Sequence, residues 1–158
     1  MLAGSQSLMA RIGLSELSDI LINPNIEVQL LDGTDHEAIE ATLQISATAF
    51  KWPPEQVQAE RAGWFEKIKS ERLRRKERVY LARLNGKPVA EAHLVLRAGT
   101  AYLGGAATLP AYRSQKIYST LLRRRLEDAR AAGYHVSCIN AEPMSRRVVW
   151  ISMTWKWW

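Results

Sequence analysis

Leu109-Pro110-Ala111-Tyr112-Arg113-Ser114-Gln115-Lys116-Ile117-Tyr118 joins a strand pattern to a helix pattern, and its reading decides the fold. Upstream, Thr100 to Leu109 reads as a strand that Pro110 stops. Downstream, Ser114 to Ala132 is the clearest helix in the chain. Tyr118, Leu121, Leu122, Leu126 and Ala129 fall on one side, while Arg123, Arg124, Glu127, Asp128 and Arg130 fall largely on the other. Gly133 supplies a C-terminal stop, and Tyr134 to Asn140 then reads as a further strand. Strand, helix and strand make a right-handed crossover unit. At its first junction, unpaired amide hydrogens and the helix dipole attract anions. Arg113 and Lys116 add positive charge at the same place. A phosphate site and an ordinary basic helix start both fit these residues.

The flanking sequence supplies the rest of the sheet. Ile26 to Leu30 alternates apolar and polar residues, as a half-buried strand does. Asp32-Gly33 turns the chain, and Thr34 or Asp35 can cap a helix running to about Phe50. Pro53-Pro54 opens a second helix with Trp64, Phe65 and Ile68 as its buried stripe, ending in the basic run near Arg78. Val79–Leu84 and Pro88–Leu96 form a hairpin about Asn85-Gly86, and Ala98-Gly99 turns into the Thr100 strand. Leu8, Ile12, Leu17, Ile20 and Leu21 recur at near-helical spacing, so residues 1–25 read as an appended helix or a loose arm. Pro143 can open a last helix over Ser145 to Val149. The order β-α-α-β-β-β-α-β-α predicts an α+β fold with a sheet covered by helices.

Composition narrows the class. The chain has 158 residues, 47% hydrophobic and 24% charged, which suits one globular domain. No apolar run approaches the ~20 residues of a membrane span. Arg11, Glu16 and Asp19 interrupt any secretory segment, so a cytoplasmic location is the default expectation. The single cysteine, Cys138, lies in an apolar run and reads as a buried small hydrophobe. His36, His93 and His135 are far apart, and no metal site is expected. The net charge of +6 favours an anionic partner, although the basic runs Arg72–Arg78 and Arg123–Arg125 read as solvated helix faces. A nucleic-acid-binding module is disfavoured because no aromatic residues are interleaved with those runs. Neither a nucleic acid nor a membrane is expected as a partner.

The run Tyr102 to Arg113, followed by Ile117-Tyr118-Ser119-Thr120-Leu121-Leu122, resembles the central motif of GNAT N-acetyltransferases. In that family a strand ending in V-x-P-x-Y-R leads into [QR]-x-x-G-x-[GA] and a helix. The likeness spans roughly residues 26–149. It implies a GNAT-like α/β/α arrangement: a mixed, mostly antiparallel sheet flanked by helices. It also implies acetyl-CoA as co-substrate and direct attack by a primary amine, with no covalent acyl-enzyme. Ala107, Thr108 and Leu109 would offer backbone groups to the pantetheine arm. Arg113, Ser114, Gln115, Lys116, Ile117 and Tyr118 would wrap the pyrophosphate. Strand Tyr134–Asn140 would diverge from strand 100–109 to leave room for the thioester, with Asn140 and Ser145 near the cofactor or acceptor.

The sequence departs from this pattern at three glycine-rich positions. Ser114, Lys116 and Tyr118 stand where glycine or alanine is usual. Forcing a residue with a side chain into a left-handed conformation costs roughly 1–2 kcal/mol. Weakened cofactor binding is therefore expected. From Trp150 onward the chain is rich in tryptophan, where the family continues into E-K-L-G-F and two further strands. Residues 150–158 thus read as an aberrant tail on a domain that lacks its last two strands. The loss would leave a sheet edge free to pair with a second copy, and would remove a thiolate-protonating tyrosine expected near Val149. Glu91 and Glu142 are the candidate bases, with His93 beside the first. The acceptor expected is a small-molecule or peptide amine. The alternative is a catalytically inactive, degenerate relative acting at most as a binding module.

Overall fold

The computed structural model describes residues 7–12, 14, 17–141 and 156–157. Glu142, Ser145 and the predicted last helix lie outside them, as does most of the Trp-rich tail. The strands are β1 (Ser7–Ile12), β2 (Ile26–Leu30), β3 (Glu77–Leu84), β4 (Lys87–Arg97), β5 (Thr100–Thr108), β6 (Val136–Ala141) and β7 (Lys156–Trp157). The helices are α1 (His36–Phe50), α2 (Pro54–Lys69), α3 (Glu71–Arg74) and α4 (Ile117–Ala131). None of these helices is long and apolar enough to cross a membrane.

Local chemistry explains each boundary. Asp35 caps α1 by accepting the Ala38 amide at 2.9 Å. Pro54 sits at the start of α2, where its missing amide hydrogen costs nothing. Ser70 ends that helix and caps the short α3 through the Leu73 amide. Asn85 and Gly86 both take positive φ, 51° and 78°, which is the geometry of a two-residue hairpin turn.

The sheet runs β2-β3-β4-β5-β6-β1-β7. Every pairing is antiparallel except β5 with β6. Along β3, Tyr80 and Ala82 belong to one core cluster, and Val79 and Leu81 to another. Alternate residues of a strand face opposite sides, so the sheet has a core on each face. One core packs α4 through Leu121, Leu122, Leu126 and Ala129, all 0% exposed. The other packs α1 through Ala38 and Ile39 and α2 through Ile68. The result is the mixed α+β, helix-sheet-helix arrangement expected.

Two expectations need correction. Residues 7–12 are a strand, not part of a helix: β1 pairs antiparallel with β6 from Ser7↔Ala141 to Ile12↔Val136. The outer edge of β6 carries a row of backbone donors and acceptors, and an extended segment satisfies them where a helix cannot. The edge expected to be bare is therefore covered by β1, which pairs in turn with β7. The second correction concerns Arg125, placed by its neighbours in a solvated basic run. It is 0% exposed and faces the sheet.

Candidate active site

The β5–α4 junction has the geometry of an anion cradle. Pro110–Tyr112 form a single 3-10 turn, and the chain then crosses Arg113 to Lys116 before α4 begins at Ile117. Residues 113–116 are exposed, while Ile117 is buried and anchors the helix start. No side chain caps α4 and no acidic residue occupies its first turn. The helix's positive end is thus left for an outside anion. Ser114 and Lys116 adopt φ of 64° and 58°, the left-handed conformation at two positions where the sequence lacks glycine. The Lys116 carbonyl accepts from the Thr120 amide and from the hydroxyls of Thr120 (2.6 Å) and Ser119 (3.1 Å). Asn23 braces the loop from the arm, donating its side-chain amide to the Gln115 carbonyl and its backbone amide to Thr120 Oγ1. Tyr118 does not block the mouth; its half-buried ring packs against the core and lies 5.9 Å from the Arg125 guanidinium.

Beside this mouth the sheet opens. β5 and β6 pair only from Thr100↔Val136 to Leu103↔Ile139, although β5 continues to Thr108. Past Leu103 one edge of β5 is free of β6, while its other edge stays on β4 as far as Ala90↔Thr108. The Leu109 amide donates to Val89 and its carbonyl accepts from Tyr112. Leu109 thus has no backbone group to spare, contrary to the role expected of it. In antiparallel pairing the next residue back, Thr108, points its amide and carbonyl the other way, toward the open edge. Asn140 lies on β6 just past the last β5–β6 pair, its backbone in register with Leu8 of β1.

A buried ionic chain lies on the face of β5 that packs α1. Glu91 sits on β4 opposite Ala107 and is 1% exposed. Its Oε1 accepts the Ser46 hydroxyl of α1 at 2.6 Å. His93 Nε2 lies 2.9 Å from Glu91 Oε2 as an ion pair, and no other donor reaches that buried oxygen. His93 Nδ1 meets Glu77 Oε1 at 2.9 Å, and Lys67 Nζ closes the chain at 3.1 Å from the same oxygen. Burial alone would disfavour an imidazolium at His93, but the Glu91 and Glu77 carboxylates outweigh it and raise its pKa to about 9. The His93 hydrogen bond is the main cause that draws Glu77 down to about 2, against its own burial.

Arg125 holds this strand segment from the opposite face. The β4–β5 register shifts between Ala92 and Leu94, forming a bulge around His93. Arg125 Nη1 donates to the carbonyls of His93 (2.9 Å) and Gly104 (3.4 Å), two groups the bulge leaves short of ladder partners. An added Cβ at Gly104 would stand 3.2 Å from His93 Cβ, so glycine fits there without displacing His93.

The ionic chain and the free part of β5 line one cleft of about 380 Å³, whose walls include Ser46, Glu91, His93, Tyr102, Gly104 and Gly105. A larger hollow of about 500 Å³ lies between α1 and α2 around Gln44, Lys51 and Arg61. It touches neither Glu91 nor β5, so we assign the chemistry to the smaller cleft. Of the sequence candidates, Glu91 and His93 come together here beside β5, and residues 113–118 form the separate mouth. Ser46, Lys67, Glu77 and Arg125 were missed. Glu91 and His93, two apart on an otherwise apolar strand, share one face and signal a buried polar pair. Nothing local in the sequence ties them to Ser46 or Glu77.

Comparison with known proteins is consistent with this geometry. Residues 39–147 match the model of the acetyltransferase (GNAT) family. No match was found among curated proteins. Among solved structures, a conserved Staphylococcus epidermidis protein of unknown function superposes with a TM-score of 0.69 at 15% identity. The alignment covers 96% of this chain but 57% of that one, so the chain spans little more than half that relative's length. PaiA N-acetyltransferase from Thermoplasma acidophilum, in complex with coenzyme A, aligns at a TM-score of 0.56 and 22% identity, covering 68% of this chain and 74% of that one. AAC(6')-Iy, bound to the bisubstrate analog CoA-S-monomethyl-acetylneamine, aligns at 0.64 and 14% identity, covering 82% and 90%.

Proposed function

Because the chain belongs to the acetyltransferase (GNAT) family, we propose that it moves an acetyl group from acetyl-CoA to a primary amine by direct attack. The observation that carries this is the end of β5–β6 pairing at Leu103↔Ile139, immediately beside an uncapped helix start. The Arg113 amide is donated to the Pro110 carbonyl, so a diphosphate seated on the amides of residues 114–118 would send its pantetheine arm along the free edge of β5. Thr108 would hold that arm through its backbone, and Asn140 would face it from β6. The thioester then comes to rest beside Ala107, whose neighbour in register is Glu91. PaiA, crystallised with coenzyme A, supports the choice of cofactor.

In this mechanism the amine nitrogen attacks the thioester carbonyl. The C–N bond forms, a tetrahedral oxyanion develops, and a free amide hydrogen of β5 stabilises it. The C–S bond then breaks and the coenzyme leaves as thiolate. Glu91 takes the amine proton through its carboxylate, which the Ser46 hydroxyl and the His93 ring hold in place. His93 is thus a positioning residue, because a group already protonated at neutral pH is no base. The acetyltransferase domain would span residues 26–149, with a small molecule or a peptide amine as acceptor.

Titrating acetyl-CoA into the full chain in a calorimeter tests the proposal. Saturable binding with one site per chain is expected. The absence of heat up to millimolar ligand would overturn it and leave a GNAT fold acting at most as a binding module.

A further inference from the structure

The walls of the Glu91 cleft are aromatic to a degree the acetyl-transfer chemistry does not require. Phe50, at the end of α1, is 55% exposed and stacks on Trp52, with centroids 6.4 Å apart and planes at 26°. Trp52 meets Trp64 edge-on at 6.1 Å, and Trp64 meets His93 edge-on at 5.3 Å. The Trp64 indole N–H is held by Thr42 Oγ1 at 2.9 Å, which fixes that ring. The four rings run from solvent to the ionic chain, and Val95 and Tyr102 line the same cleft. Phe50 is not an isolated surface ring, because it continues the Trp52 and Trp64 wall to the cleft mouth.

The charges are equally specific. Each ion in the cleft has a partner from the protein: Glu91 faces His93, and Glu77 faces both His93 and Lys67. Two carboxylates and two cations leave no net charge. Among the described residues of the cleft, Glu91 Oε2 is buried and meets the His93 ring without a hydrogen bond. A polycation would meet no net negative charge here, and Lys67 would repel it. The volume of about 380 Å³ lies at the small end of ligand cavities, which run roughly 300–1,000 Å³.

From these observations we infer that the acceptor is a small primary amine carried on an aromatic ring, an arylalkylamine. Its ring lies against Phe50, Trp52 and Trp64, and its single ammonium points to the inner end of the cleft at Glu91. The inference rests on the acetyl-transfer assignment for its turnover, but not for its binding. An aminoglycoside, the acceptor half of the analog bound to AAC(6')-Iy, carries several cations and hydroxyls that this wall cannot satisfy.

Equilibrium dialysis of 2-phenylethylamine, spermidine and kanamycin against the full chain separates the cases without turnover. Saturable binding is expected for phenylethylamine alone. Steady-state acetylation should then favour phenylethylamine over kanamycin by about 100-fold in kcat/KM, as expected when a buried polar mismatch sets specificity. Phe50→Ala, at an exposed position, and Trp52→Ala should each raise its KM about tenfold, with the KM for acetyl-CoA unchanged. Preference for either polycation, or wild-type KM in both variants, would overturn the inference. If acetyl-CoA fails to bind while phenylethylamine binds, the acetyl-transfer assignment falls and the aromatic amine site stands. If acetyl-CoA binds and phenylethylamine does not, the reverse holds.

Discussion

Two regions along β5 solve opposite problems. At its C-terminal end, residues 113–116 are exposed, strained and uncapped, with two left-handed residues that carry side chains. Alongside its middle, Ser46, Glu91 and His93 are buried, relaxed and tied to one another within 3 Å. The first region leaves its own backbone donors unmet so that a ligand can meet them. The second satisfies its charges internally, with one buried carboxylate oxygen met by the His93 ring alone. Binding sites built from backbone tolerate side-chain change but not conformational change. Sites built from buried side chains behave the other way round.

Several variants sharpen or break that contrast. The largest effect is expected from Glu91→Gln. It keeps the Ser46 hydrogen bond but removes the base, so kcat should fall about 100-fold or more, with the acetyl-CoA KM unchanged in steady-state assays. An undiminished kcat would remove Glu91 from the chemistry. Next comes Arg125→Ala, which strips a fully buried side chain from the His93 and Gly104 carbonyls. Urea titration should show a loss of about 2–4 kcal/mol, from orphaned acceptors and lost packing together.

A smaller effect is expected from pH. His93 has its pKa raised from 6.5 to about 9 on folding. Its contribution to stability is therefore full below pH 6.5 and is lost as pH rises toward 9, with a limiting slope of about 1.4 kcal/mol per pH unit. Urea midpoints should fall across that window in the wild type and stay flatter in His93→Gln. Glu77 acts in the opposite sense, since its pKa falls from 4.5 to about 2, and its contribution is lost on acidification through that range. The smallest change is Lys116→Gly. Relief of left-handed strain, roughly 1–2 kcal/mol, is offset by the greater freedom of unfolded glycine, roughly 0.5–1 kcal/mol. A net gain under about 1 kcal/mol is expected, with tighter acetyl-CoA binding as the amide of residue 116 becomes easier to reach.

The same contrast explains what could be read from sequence. The β5–α4 junction was legible because its signals are local: a proline stop, a basic loop and a helix with one apolar face. The Asn85-Gly86 hairpin was legible for the same reason. Strand β1 was not, because Leu8 and Ile12 fit a helical period and only the waiting edge of β6 selects the extended form. Arg125 was misplaced because it sits in a run of three arginines, and only the fold distinguishes the one that turns inward. Glu91 and His93 could be picked as candidates, but their partners arrive from 45 residues away on α1 and 16 residues away on β3. Contacts at that separation leave no periodic trace.

The most direct test of the central claim maps where the coenzyme touches the backbone. Amide shifts in a nitrogen-15 spectrum, followed as coenzyme A is added to the full chain, should move first and farthest at Ser114 through Tyr118 and at Thr108. Leu109, whose amide is already donated to Val89, should move little. Perturbations centred instead on the α1–α2 hollow, with residues 114–118 unmoved, would contradict the account.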